Sequence, residues 1–101
     1  MSARLIIRKA AEAQITEAYN WYEKKRTSLG NDFLRAIDES LVTIELNPQA
    51  FQLKYKNIRA IYTKRFPYGV FYLIDKQKII VFAVFHLSQN PRRWKKLAFN
   101  K

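Results

Sequence analysis

No cysteine occurs in this chain of 101 residues, and histidine occurs once, at His86. Disulfides and thiol chemistry are excluded, and nothing requires an oxidising compartment. One histidine without cysteine cannot form a zinc site of the usual kind, so neither a metal nor a cofactor is expected. Glycine occurs only at Gly30 and Gly69, which rules out a glycine-rich phosphate loop. No motif of a catalytic triad surrounds Ser2, Ser28, Ser40 or Ser88. The longest apolar run, Ile79 to Phe85, is seven residues, too short to span a bilayer or to form a signal-peptide core, so a cytoplasmic protein is expected. Acids are scarce in one half only. Residues 1–50 hold seven Lys or Arg against seven Asp or Glu, while residues 51–101 hold twelve against the lone Asp75. The whole net charge of +11 therefore lies in the second half. Such one-sidedness points to a polyanionic partner: nucleic acid, an acidic membrane surface or an acidic protein segment.

What is present suits one folded domain over residues 1–101, since 49% of the residues are hydrophobic and glycine and proline are few. Leu5 to Ile7 form a short strand. Ala11, Ile15, Ala18, Tyr19 and Tyr22 then recur at the spacing of one buried helical face. Thr27 to Asn31 interrupt the pattern, and Phe33, Leu34, Ile37, Leu41 and Ile44 mark a second helix that stops at Asn47-Pro48. The short connection predicts an antiparallel helix hairpin. After a connector the period changes to two. Strands are predicted around Ile58–Thr63, Val70–Ile74 and Ile79–Phe85, the last apolar on both faces as a central strand is. Asn90-Pro91 suits a capped helix start, giving a short tail helix to about Leu97. The expectation is an α+β fold of order β-α-α-β-β-β, with the hairpin packed on an antiparallel sheet and a short C-terminal helix.

Seven of the eight acids lie on or near the two helices, where solvated faces and i,i+4 pairs account for them, so a two-carboxylate site is not expected. What remains is a basic, aromatic second half. Its Arg59, Lys64, Arg65, Tyr62, Tyr68, Tyr72, His86, Arg92, Arg93 and Trp94 fall on the strands or the tail. Arginine holds phosphate bidentately and aromatic rings stack on bases, so such a group is able to bind RNA. Cleavage would need a base for the 2′-hydroxyl and cations for the developing charge. His86 is the side chain suited to the base role at neutral pH, or else a strand-end histidine satisfied by the backbone. Trp94 either stacks a base or packs the tail helix onto the sheet.

Four stretches, AEAQITEAYNWYEKKRTSLGNDF, LVTIELNPQAF, IRAIYTKRFPYGVFYLI and VFAVFHLSQNPRRW, resemble the RelE/ParE superfamily of type II toxin–antitoxin toxins, of the plasmid-stabilisation type. The resemblance runs from about Arg8 to Trp94. Nine markers carry it in order: Trp21-Tyr22, Gly30 with Phe33, Asn47-Pro48, Arg59, Phe66-Pro67-Tyr68, Tyr72, His86, Pro91 and Trp94. It implies a small bacterial toxin neutralised by an acidic antitoxin wrapped around it. Arg59, Lys64, Arg65, Tyr72, Arg92, Arg93 and Trp94 are then the expected partner-binding residues. RelE-like members cut messenger RNA at the ribosome, whereas ParE-like members inhibit DNA gyrase without hydrolysis. In a nuclease, His86, Arg92, Arg93 and Lys64 would be the catalytic residues. Nuclease relatives, however, place charge where this chain has Ala60, Tyr62 and Gly69, and often carry Arg-Asp where Gln89-Asn90 stands here. The pattern is closer to the ParE-like branch, with a ribosome-dependent nuclease or an inactive member as the alternative.

Overall fold

The computed structural model describes residues 4–99. Strand β1 (Arg4–Ile7) leads into helices α1 (Lys9–Lys25) and α2 (Leu29–Leu46). Strands β2 (Leu53–Tyr55), β3 (Ile58–Tyr62), β4 (Tyr68–Asp75) and β5 (Lys78–His86) follow, and α3 (Pro91–Phe99) closes the chain. The sheet order is β1-β5-β4-β3-β2. The α+β class and the helix hairpin are as expected from the periodicities. Two features of the sheet differ. It is mixed, because β1 pairs parallel with β5, Arg4 opposite Lys78 and Ile7 opposite Val81. The connector also contributes β2, a three-residue edge strand against β3. A strand that short shows no alternation, and the direction of β1 depends on a pairing across nearly the whole chain.

The turn between the helices is tighter than the Thr27–Asn31 break suggested. Helix α2 begins at Leu29, after Ser28 in the left-handed region at φ 74°. Its first amides are capped from the preceding helix: Ser28 N donates to Glu23 Oε2 at 3.0 Å and Gly30 N to Glu23 Oε1 at 2.9 Å. A carboxylate suits that place, where unpaired amides and the helix dipole present positive charge. Gly30 is what permits the approach. A Cβ there would lie 2.8 Å from both Glu23 Oε1 and the Tyr19 ring.

The sheet has apolar residues on both faces and helices cover each. On the hairpin face, Phe33, Ile37 and Ile44 of α2 and Ala11 and Ala18 of α1 pack with Val70, Tyr72, Ile79, Val81 and Val84. On the other face, Trp94 and Ala98 of α3 pack with Ile58, Ala60, Phe71, Leu73, Phe82 and Phe85. The register passes from Phe71 opposite Ala83 to Tyr72 opposite Val81, leaving Phe82 as an extra residue. This bulge puts Phe82 and Ala83 together on the α3 face and reverses the alternation beyond them. It is one physical reason why Ile79–Phe85 reads as a continuous apolar run.

Candidate functional site

The polar group after β5 is a closed hydrogen-bond network. His86 N donates to Gln89 Oε1 at 2.9 Å, and Gln89 N returns to His86 O at 3.0 Å. Leu87 N donates to Pro67 O, tying the segment to the β3–β4 turn. Asn90 caps α3, its Oδ1 accepting from Arg92 N at 3.0 Å. The His86 ring stands edge-on to Tyr68 at 5.2 Å between centroids. Its Nδ1 lies 3.0 Å from the Ser88 amide and 2.7 Å from Ser88 Oγ. An amide can only donate, so Nδ1 is the acceptor and the neutral ring carries its proton on Nε2. The one lone pair of that neutral ring therefore points at Ser88 in the same turn.

His86, Gln89 and Arg93 line a groove of about 600 Å³ together with Trp21, Tyr22 and Tyr68. Gln14 of α1, also in its lining, accepts from the Val84 amide at 2.7 Å. Burial pushes the Tyr68 hydroxyl above its ordinary range, with Tyr22 and Glu17 adding to the shift. Trp21 is 55% exposed and Lys25 lies over its ring at 4.7 Å.

The expected partner-binding residues do not form one surface. Tyr72 is fully buried, and its hydroxyl donates to Pro48 O at 2.6 Å. It is a core residue and not a surface contact. Its register neighbour Arg59 donates to Phe51 O at 2.6 Å and to Gln49 O at 3.3 Å. Together the two pin the α2–β2 connector. Trp94 is 8% exposed and stacks on Phe71, ring centroids 4.4 Å apart, so it packs the tail helix rather than presenting a ring to a partner. Lys64 and Arg65 lie exposed in the β3–β4 turn, Arg65 at φ 72° and 3.7 Å from Asp32. Arg92 and Arg93 are exposed on the first turn of α3, with Arg93 over the Phe85 ring at 5.6 Å.

Beside them stand residues not singled out from the sequence. Lys95 of α3 lies over Tyr55 at 4.4 Å, and Lys54 of β2 over Tyr62 at 5.0 Å. No local signal marks Lys54, because the short β2 carries no recognisable strand pattern. The ion pairs between described residues converge instead on Asp32, from Arg26 at 3.9 Å, Arg35 at 3.5 Å and Arg65 at 3.7 Å.

This arrangement defines a small basic α+β protein with a helix-hairpin face, a groove beside His86 and a cationic α3 side. A family model described as "ParE toxin of type II toxin-antitoxin system, parDE" matches residues 5–91. The chain belongs to this ParE toxin family. A solved structure described as "Chromosomal ParDE TA system from P. aeruginosa" superposes with a TM-score of 0.76 at 14% identity, covering 85% of this chain and 97% of that one. At that identity the likeness is one of fold. No curated protein sequence matches the chain. No helix among the described residues is long and apolar enough to cross a membrane.

Proposed function

We propose that this chain is the toxin of a type II pair, that it acts in the bacterial cytoplasm by binding DNA gyrase without hydrolysing a substrate, and that an acidic antitoxin neutralises it. The observation that carries the choice of activity is the engagement of His86 Nδ1 by the Ser88 amide. Metal-independent RNA cleavage needs a base with a lone pair directed at the 2′-hydroxyl and cations fixed around one phosphate. Here the histidine's lone pair is committed within its own turn. Ala60, Tyr62 and Gly69 supply no charge on the strands, and a displacement of about 1 Å in such groups costs on the order of 10²-fold in rate. Inhibition by binding requires only a complementary surface, which the exposed Arg92, Arg93, Lys64 and Arg65 support. The antitoxin rests on the family and on the charge: an acidic segment matches a half-chain carrying all of the +11. The test is induction in a susceptible bacterium together with assays of purified toxin. Gyrase supercoiling stops and messenger RNA stays intact; cleavage of ribosome-bound messenger at defined codon positions would overturn the reading.

A further inference from the structure

We propose that the surface formed by α3 and the β2–β3 edge is a binding face for the phosphate backbone of duplex DNA. The inference deepens the gyrase reading, because gyrase works on DNA, and its test contains no gyrase, so either can fail alone.

Helix α3 is built against its own local stability. Its sequence, PRRWKKLAF, holds four cations and no acid. Arg92 and Arg93 sit in the first turn, where the unpaired amides and the helix dipole are already positive. Arg92 and Lys96 repeat the same charge one turn apart, a repulsive spacing. The buried side of α3 is Trp94 and Ala98; Arg93 and Lys95 only lean on rings beside it, and Arg92 and Lys96 stand exposed, so charge at these positions is not what packs the helix. Sequences that break local rules without a structural return do so where a partner supplies the return.

Two separate segments extend the same face. Lys54 and Tyr62, from β2 and β3, line a shallow depression of about 150 Å³ together with Pro91 and Trp94 at the start of α3. The Lys54 and Lys95 ammonium groups rest on tyrosine rings at 5.0 and 4.4 Å, and Lys54 Nζ also donates a long, exposed hydrogen bond to the neutral Gln52 Oε1 at 3.4 Å. A ring face is a weaker partner for an ammonium than an anionic oxygen is, and phosphate oxygens would replace it at little cost in ordering. Half-exposed Tyr62 gives a flat aromatic contact among the cations. Lysines and arginines spaced over several segments, interleaved with aromatic rings, suit a repeating array of phosphates better than a single carboxylate.

The test is fluorescence anisotropy of a short labelled duplex titrated with purified toxin at increasing salt. Binding should be strongest at low salt and fall steeply as salt rises. The double variant Lys54→Glu/Lys95→Glu should lose affinity on the order of tenfold and lower the salt slope by about two. Lys9→Glu/Arg35→Glu, with the same change in net charge on the hairpin side, should bind as the parent does. Thermal melts establish that the variants are folded, and Lys54→Gln/Lys95→Gln replaces the first pair if it is not. Absence of salt-sensitive binding, or equal losses in the two charge-reversed variants, overturns the proposal. Preferential binding of poly-glutamate over the duplex, lost in Lys54→Glu/Lys95→Glu, also overturns it and assigns the face to an acidic protein.

Discussion

The Tyr72 hydroxyl meets the Pro48 carbonyl at 2.6 Å from a side chain with no exposed surface. Its aromatic, basic neighbourhood made it look like a surface residue in the sequence. Exposure in a two-sided sheet depends on what covers each face, which strand alternation does not reveal. Val70 and Tyr72 turn to the hairpin, and Phe71 and Leu73 to α3. Burial raises the Tyr72 hydroxyl above its ordinary value of 10.0, against a smaller opposing effect of Arg59, and burial likewise raises Tyr22 and Tyr68. The unfolded tyrosines therefore ionise first. The stability linked to these groups is whole below about pH 10 and is lost as pH rises through the folded values. Thermal midpoints should hold to about pH 9 and fall above pH 10, with a shallower fall in Tyr72→Phe. At neutral pH the same variant should lose about 0.5–1.5 kcal/mol with the Pro48 hydrogen bond. An alkaline profile identical to the parent's would remove Tyr72 from this account.

Long elements were legible in the sequence because each shows a full face. Helix α2 presents Phe33, Ile37 and Ile44 to the sheet at helical spacing, and all three are buried. Ile37 is 2% exposed, so Ile37→Ala should cost roughly 2–5 kcal/mol in denaturant melts, through lost transfer energy and a residual cavity. A cost below that of an ordinary surface substitution would mean that the site collapses around the gap. Short-range and long-range features were not legible: β2 is too brief for periodicity, the Glu23 cap comes from another helix, and Gln14 meets Val84 across the fold. Helix α3 was visible through Asn90-Pro91, and it makes a prediction of opposite signs. Arg92→Glu/Arg93→Glu puts acids at the helix start, which should stabilise the toxin by about 0.3–1 kcal/mol per site. The same change should slow antitoxin association and flatten its salt dependence, because the attraction is between opposite charges. Stopped-flow association across salt, beside a thermal melt, measures both. Unchanged kinetics across salt, in parent and variant alike, would remove the α3 cations from the antitoxin interface.

Across the whole molecule the charge is divided as the sequence divides it, yet the division does not map onto a single docking patch. Arg59 is spent on the connector and Arg65 leans on Asp32, while Lys54 of β2 and Arg92, Arg93 and Lys96 of α3 stay exposed. The sequence showed the sum, and the fold decides which charges remain available. The same distinction applies to His86. As a residue type it is suited to acid–base work, but in place it binds the Ser88 amide through Nδ1 and packs against Tyr68, while its own backbone is tied to Gln89. A structural histidine and a catalytic one therefore make separable forecasts. If its role is to close the turn between β5 and α3, His86→Ala should lower stability by about 0.5–1.5 kcal/mol, the net worth of the hydrogen bond it accepts from the exposed Ser88 amide. Gyrase inhibition per folded molecule should then be unchanged. His86→Asn supplies a side-chain oxygen near the Ser88 amide and should recover part of the stability, which a catalytic imidazole would not allow for activity. Supercoiling assays normalised to the folded fraction, run beside ribosome-bound messenger, separate the cases. Cleavage abolished in His86→Ala and not restored in the asparagine variant would assign the histidine to chemistry. Loss of stability alone, with supercoiling still blocked, assigns it to the turn that holds α3 against the sheet.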